Sequence, residues 1–217
     1  MKKNNGYIPK IGERVEFACH FIPQANSLLD IGCGDGVISY FIKNKVKIIY
    51  GIDNDATTLK KAEKRGISVK KANLDTDKIP YQKNFFNVVT CLDVIEHVKN
   101  PEALISNIYE ILSSNGMLII STPNIRFIDH LKRLLVFGTF PKTSYDINLY
   151  DGGHIHFFTY KDLENILTEQ GFEVIKKEGI INKNKRGWKG SFLEFILGKK
   201  TMNEFFSPGI LLVAQKV

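Results

Sequence analysis

Cysteine, tryptophan and long apolar runs are scarce in this chain of 217 residues. Its three cysteines, Cys19, Cys33 and Cys91, are odd in number and lack metal-ligand spacing, so neither a disulfide framework nor a cysteine metal site is expected. No stretch approaches 18 uncharged apolar residues, and the first ten residues lack the apolar segment of a signal peptide. We therefore expect no membrane span and a cytoplasmic protein with reduced thiols.

The composition is that of an ordinary globular protein, with 43% hydrophobic and 24% charged residues, and we expect a single domain over 1–217. The net charge of +7 would suit an acidic substrate, a membrane surface or RNA. The lysines, however, are scattered apart from the block at 183–190, which is typical of a solvated surface. A nucleic-acid partner is therefore not expected.

The most informative segment is LLDIGCGDG, at 28–36. An apolar run ends at the acidic residue Asp30, and glycines then occupy alternate positions from Gly32 to Gly36. A strand that breaks into a glycine turn before a helix is typical of a nucleotide-binding βαβ unit, where glycine lets the backbone approach a ligand. The dinucleotide fingerprint G-x-G-x-x-G would need a third glycine at Val37, so the spacing disfavours a dinucleotide.

A second apolar strand, at 46–52, ends at Asp53. A carboxylate in this place can hold a ribose diol, because it accepts hydrogen bonds from both hydroxyls. Asp53 could instead cap the next helix, but Asp55 is the better cap. The acidic-x-Gly-x-Gly-x-Gly pattern with this aspartate resembles the class I S-adenosylmethionine (SAM)-dependent methyltransferases, and within them a group of small-molecule and quinone-biosynthesis enzymes.

The resemblance implies a SAM site, with S-adenosylhomocysteine as product. It assigns the adenosyl ribose to Asp53 and the adenine amino group to Asn73, where relatives carry an aspartate, with Asp75 as the alternative. The segment after the fourth strand is expected to contact the methionine part. The full set of expected cofactor-binding residues is Asp30, Gly32, Cys33, Gly34, Asp53, Asn54, Asn73, Leu74, Asp75, Cys91 and Leu92.

Three histidines are candidates for a general base. His97 belongs to a Glu-His pair that is similar to one in quinone and small-molecule methyltransferases. His154 and His156 alternate around Ile155, so in an extended segment they would share one face. For each of the three, the alternative is a structural histidine held by hydrogen bonds. The pair His154 and His156 alone would make a poor metal site without a third ligand, so no metal is predicted.

The order of elements predicts an α/β fold. Strands near 27–31, 46–52, 67–71, 87–91 and 116–121 alternate with helices near 36–44, 56–65 and 101–113. This alternation indicates a doubly wound, Rossmann-like parallel sheet with helices on both faces. Strands at 171–180 and 210–217 would, by the resemblance, complete seven strands, with the last one antiparallel between the fifth and the sixth. Gly116 is expected to end the third helix in the left-handed conformation, and Thr159 to cap a later helix.

Two segments are expected to control substrate choice. The N-terminal segment 1–24 has a helical apolar stripe and is predicted to pack over the cofactor cleft. The insertion 124–151 is predicted to form a helical cap that excludes water, with an apolar face formed by Phe127, Ile128, Leu131, Leu134 and Leu135. A dimer contact or a peripheral membrane contact is the alternative, so either a monomer or a homodimer is expected.

The predicted reaction is SN2 transfer of a methyl group to a small-molecule acceptor, preferably the hydroxyl oxygen of a quinol, phenol or sugar. The protein would supply in-line geometry and a dry site, with one histidine as base for a hydroxyl. The alternatives are an RNA or protein methyltransferase, a dehydrogenase that uses NAD, and a non-catalytic module that binds SAM. The glycine spacing disfavours the dehydrogenase, and the intact glycines with Asp53 disfavour the module.

Overall fold

A computed structural model describes residues 11–144, 150–180 and 183–217, with side chains over 14–144, 151–180 and 195–217. The first ten residues, on which the expectation about a signal peptide rests, lie outside the described residues. The side chains of the basic block at 183–190 and residues 145–149 of the predicted insertion lie outside them as well.

Seven strands and seven α-helices occupy the described ranges. The strands are β1 Ala25–Ile31, β2 Val46–Asp53, β3 Ser68–Lys71, β4 Phe86–Leu92, β5 Leu112–Pro123, β6 Phe172–Ile180 and β7 Gly209–Lys216. The helices are α1 Ile11–Cys19, α2 Ser39–Ile42, α3 Ala56–Lys64, α4 Pro101–Ile111, α5 Ile128–Phe137, α6 Tyr160–Glu169 and α7 Lys183–Phe206, and a short 3-10 turn spans Tyr150–Gly153. None of the helices described combines the length and apolar composition that a membrane crossing needs.

The strands form one sheet in the order β3-β2-β1-β4-β5-β7-β6. Neighbouring strands from β3 to β5 pair in parallel, and β7 is antiparallel to both β5 and β6. The predicted doubly wound, seven-stranded sheet is therefore confirmed, including the placement of its last strand. From β1 the sheet extends in two directions, through β2 and β3 on one side and through β4 and β5 on the other, so the switch point lies beside β1. Ligands of such sheets bind outside the carboxyl ends of the strands at this switch point.

Apolar residues fill both faces of the sheet, which explains the nearly continuous apolar runs of the central strands. Leu28 of β1 and Val88 of β4 belong to one buried cluster, which includes residues of α1, α2 and α3. Their chain neighbours Leu29 and Val89 belong to the other cluster, with residues of α4 and α6. This packing fixes the ends of β1 and β4, where the glycine turn and the histidine segment begin.

The helix predicted at 36–44 is shorter than expected, because α2 spans only Ser39–Ile42. Gly36 has a φ of 81°, which is incompatible with a right-handed helix, so the glycine turn extends to this residue. The chain then leaves the helix to begin β2 at Val46.

The expected role of Gly116 is also wrong, because Asn115 takes the left-handed conformation, with a φ of 60°. Helix α4 already ends at Ile111, and β5 begins at Leu112. Gly116 is needed for a different reason. A Cβ atom there would lie 2.8 Å from the carbonyl oxygen of Ser113, so a close backbone approach excludes a side chain.

Helix α5 exposes most of the face that the pattern predicts to be buried. Leu135 is 79% exposed and Leu134 is also exposed, whereas the buried residue of this helix is His130. Its Nδ1 atom donates to the carbonyl oxygen of Asn124, 2.9 Å away. The cap at 124–151 therefore stays a prediction, together with the alternatives of a dimer contact and a membrane contact.

Candidate active site

The glycine turn lies at the switch point of the sheet and is tied to β2. The backbone N–H groups of Gly32 and Cys33 both donate to the carbonyl oxygen of Ile52. Gly32 and Gly34 have φ values of 68° and 51°. A Cβ at Gly32 would lie 2.5 Å from Cγ2 of Val94, whereas a Cβ at Gly34 would meet no heavy atom within 4 Å. The first glycine is thus required by packing, and the second presents open backbone to a ligand.

Asp53 lies at the end of β2, beside this turn. Its Oδ2 atom accepts from the N–H of Gly34 and its Oδ1 atom from the N–H of Asp55, both at 2.9 Å. Asp55 caps α3 by accepting from the N–H of Thr57 at 2.7 Å, so the cap interpretation of Asp55 is confirmed. Asp53 is therefore not the cap, and its carboxylate faces the glycine turn, where the sequence predicts the ribose.

The expected adenine end lies after β3. The side-chain oxygen of Asn73 accepts from the N–H of Asp75 at 3.0 Å, and a carboxylate oxygen of Asp75 accepts from the N–H of Lys99 at 2.8 Å. Leu74 between them is half-buried, and Asn54 beyond β2 is exposed. Asp75 thus ties this loop to the segment before α4. Asn73 keeps a second lone pair on its carbonyl oxygen for adenine.

Asp30 is buried at the end of β1, between the strands that carry the site. The hydroxyl of Thr90 donates to its Oδ1 atom at 2.7 Å. The pKa of Asp30 is raised to about 7, chiefly by burial and to a smaller extent by the charge of Asp53, although the hydrogen bond from Thr90 lowers it. Cys91, on β4, is also buried and free, and burial raises the pKa of its thiol.

This pKa predicts a pH-dependent stability. The pKa of Asp30 is above its unfolded value of 3.8, so its contribution is fully favourable below about pH 4 and is lost as the pH rises through about 7. At roughly 1.4 kcal/mol per pKa unit, the loss is on the order of 4 kcal/mol. We expect Asp30→Asn to lack this loss. The free energy of unfolding, measured by urea titration of both proteins from pH 4 to pH 8, tests this expectation. Glu173→Gln serves as the control, because it changes an exposed carboxyl. Parallel pH profiles for wild type and Asp30→Asn would contradict it.

Glu96 forms the centre of a second cluster, after β4. It is only 1% exposed, and in the described part of the chain its carboxyl oxygens make no well-aligned hydrogen bond, although the hydroxyl of Thr122 lies beside them and lowers its pKa. Burial raises the pKa of Glu96 well above its ordinary value, and the charge of Asp93 adds to the effect. Burial therefore favours the protonated form of the Glu96 carboxyl. Its backbone carbonyl accepts from the N–H groups of Ile155 and His156, which holds the histidine segment against it.

The structure brings His97 and His154 together beside this carboxyl. Their ring centroids are 4.6 Å apart, and Nε2 of His154 lies 4.0 Å from Oε1 of Glu96. The His154 side chain is 8% exposed, and burial, followed by the charge of His97, lowers its pKa. His97 is exposed, and its Nδ1 atom donates to the carbonyl oxygen of Gly153 at 3.2 Å.

His156 does not share the position of the other two histidines. Its ring lies beside Phe158, with centroids 6.1 Å apart, and its Nε2 atom is buried with no hydrogen-bond partner among the described residues. Of the three candidate bases, His154 has the combination of burial and a carboxyl neighbour that proton transfer requires.

Glu96, His97 and His154 each offer one ligand atom, and these atoms all lie within 4.8 Å of one another. Glu96 thus provides the third ligand that two histidines lack. The absence of a metal stays a prediction. The argument from the sequence, that a third ligand is lacking, does not hold for His97 and His154.

Arg14 of α1 is a site neighbour that sequence reasoning missed. Its Nη1 atom lies 2.8 Å from Oδ2 of Asp93, and both side chains are 19% exposed. The hydroxyl of Ser121 donates to the other oxygen of Asp93 at 3.1 Å. A lone arginine in a short amphipathic helix gives no sequence signal of such a contact. It links the N-terminal helix to the segment expected to hold the methionine part of the cofactor.

The strand order, with a glycine turn of this spacing at its switch point, defines the class I SAM-dependent methyltransferases as the class of this chain. A family model described as a methyltransferase domain matches residues 5–177, and the chain belongs to that family. SAM is accordingly its cofactor. The open backbone at Gly34 and the carboxylate of Asp53 beside it fit such a ligand.

Known proteins resemble this chain in sequence and in fold. The chain is 29% identical over 171 residues to the ubiquinone biosynthesis O-methyltransferase of Rickettsia prowazekii. The aligned region covers 75% of this chain and 65% of that protein. It is 27% identical over 131 residues to the protein of the same name from Coxiella burnetii. That alignment covers 57% of this chain and 56% of that protein. The chain thus spans less than two thirds of the length of these relatives. A SAM-dependent methyltransferase from Archaeoglobus fulgidus shares the fold, with a TM-score of 0.67 at 18% identity over 95% of this chain and 93% of that one.

Proposed function

We propose that this protein methylates a hydroxyl oxygen of a small molecule, such as a quinol or a phenol. The observation that carries the proposal is the buried Glu96 carboxyl, without a well-aligned hydrogen bond among the described residues, 4.0 Å from Nε2 of His154. That separation is too long for a direct hydrogen bond, and a hydroxyl oxygen placed between the two atoms could hydrogen-bond to both. The names of the curated relatives, which are O-methyltransferases, favour the same acceptor atom.

The cofactor is held along the carboxyl ends of β1, β2 and β4. Asp53 accepts from the ribose hydroxyls, and Gly32 to Gly34 provide the close backbone. Asn73 or Asp75 contacts the adenine, and Cys91 and Leu92 line the methionine end. Arg14 is half-buried and pairs with Asp93, the residue after Leu92, and we propose that it also neutralises the methionine carboxylate.

When bound, SAM supplies an activated methyl group on a sulfonium. The acceptor hydroxyl would donate a hydrogen bond to Nε2 of His154 and accept one from the carboxyl of Glu96, whose protonated form burial favours. His154 would take the proton of the hydroxyl as that oxygen becomes methylated. His97 packs against the ring of His154 and restricts its orientation.

Release of S-adenosylhomocysteine by the purified protein, measured across a panel of acceptors, tests this proposal. We expect turnover with phenols, quinols or sugars, and none with transfer RNA or peptides. Turnover confined to RNA or peptides would overturn the proposal in favour of a macromolecular methyltransferase. A chelator control is part of the experiment. If activity is lost with the chelator and restored by Mg²⁺, Glu96 and the histidines hold an ion and His154 is not the base.

We also infer a cytoplasmic location, since the three cysteines are free and buried.

A further inference from the structure

A series of hydrogen bonds links the Nδ1 side of His154, opposite Glu96, to Asp151. Asp151 is fully buried in a left-handed conformation, with a φ of 51°. Its Oδ1 atom accepts from the backbone N–H groups of Thr143 and Ser144, and its Oδ2 atom accepts from the hydroxyl of Thr143 at 2.8 Å. Three donors thus point at this carboxyl group, as suits an ionised carboxylate.

The hydroxyl of Thr143 also lies 2.6 Å from Nδ1 of His154. A hydroxyl carries one proton, and a carboxylate carries none. Because the bond between Thr143 and Asp151 uses the hydroxyl proton, the proton between Thr143 and His154 must come from the imidazole. The separation of 3.8 Å between Nδ1 of His154 and Oδ2 of Asp151 places Thr143 as the connecting group.

We infer that Asp151 and Thr143 are positioning residues that hold His154 as its Nδ1–H tautomer, with the lone pair of Nε2 directed toward Glu96. The hydrogen bond made by one ring nitrogen decides which nitrogen carries the proton. In this tautomer, Nε2 is free to accept a proton from the acceptor hydroxyl. The opposite tautomer would place an N–H where the base is needed. The catalytic consequence rests on the proposed function, but the tautomer itself does not.

The tautomer is measured directly by long-range ¹H–¹⁵N spectra of protein labelled with ¹⁵N-histidine, at about pH 8, above the usual histidine pKa of about 6.5. The chain has five histidines, and His154→Gln identifies the signals of His154. We expect the Nδ1–H pattern for wild type. An Nε2–H pattern in the wild-type protein would overturn the inference without any variant.

Asp151→Asn gives the sharpest variant test. Two backbone N–H groups require an acceptor at the Oδ1 position, so the new amide must direct its NH2 group at Thr143. The hydroxyl of Thr143 then donates to Nδ1 of His154, and the proton of the imidazole moves to Nε2. We expect this change of tautomer in Asp151→Asn. An unchanged Nδ1–H pattern in a folded variant would contradict the inference.

Thr143→Val removes the hydroxyl at nearly constant volume, and Thr143→Ser restores it. We expect Thr143→Val to lose the Nδ1–H pattern and to lower kcat about 100-fold with KM nearly unchanged, because a base held in the wrong tautomer cannot accept the proton. Thr143→Ser is expected to recover both. Thr168→Val and Asp162→Asn are matched controls on α6. If no acceptor is methylated, the proposed function fails while the spectra still decide the tautomer.

Discussion

Replacing Asp53 with alanine is expected to weaken SAM binding by at least roughly 100-fold, because the proposed contact consists of two hydrogen bonds from the ribose to a carboxylate, each contributing about 1.5–3 kcal/mol. Asp53 is not the cap of α3, and its Oδ2 atom faces the N–H of Gly34 in the glycine turn. Calorimetric titration of wild type and variant with SAM and with S-adenosylhomocysteine measures the change in affinity.

Asp55→Ala provides the matched control, two residues away. It removes the cap of α3, where Asp55 accepts from Thr57, and should lower the free energy of unfolding by about 1 kcal/mol. We expect it to leave SAM affinity within a few-fold of wild type. Equal losses of affinity in the two variants would mean that Asp53 acts through local structure and not by contacting the ribose.

Replacing His154 with alanine is expected to lower kcat by about 10²–10⁴-fold while SAM affinity stays near the wild-type value, because a general base contributes to the chemical step and not to cofactor binding. Steady-state kinetics with the best acceptor from the panel, together with SAM titration, separate the two quantities. His154 is buried with its Nε2 atom near Glu96, which distinguishes it from the exposed His97.

His156→Ala is the natural comparison, since it differs from His154 by two positions but lies beside Phe158 instead of His97. We expect it to reduce kcat by less than tenfold. If His156→Ala costs more than His154→Ala, the base is misassigned and His156 must reach the acceptor.

The sheet and the local features of the site could be predicted because they follow short-range rules. The glycine turn and the alternation of apolar strands with helices are visible within a few residues of sequence. The caps at Asp55 and Thr159 follow equally local preferences, and the structure confirms both. Helix α7 was not predicted, because glycines within it, among them Gly198 with a φ of 77°, contradict helical propensity.

The cluster around Glu96 and His154 could be predicted only in part, because its contacts join distant parts of the chain. Glu96 and His154 are 58 positions apart in sequence and meet through backbone hydrogen bonds of the histidine segment. The contact between Arg14 and Asp93 depends on how α1 packs on the finished sheet. The family resemblance, together with the alternate spacing of the last two, identified His97, His154 and His156 as candidates. Only the fold separates His156 from the other two and adds Thr143 and Asp151.

The most direct measurement is to incubate the protein with SAM carrying a ¹³C-labelled methyl group and an active acceptor, and to determine the bonded atom from the carbon chemical shift of the product. The expected result is an O-methyl signal that grows with wild type and is nearly absent with His154→Ala. An N-methyl or C-methyl product, or bound SAM without transfer to any hydroxyl compound, would contradict oxygen methylation by this site.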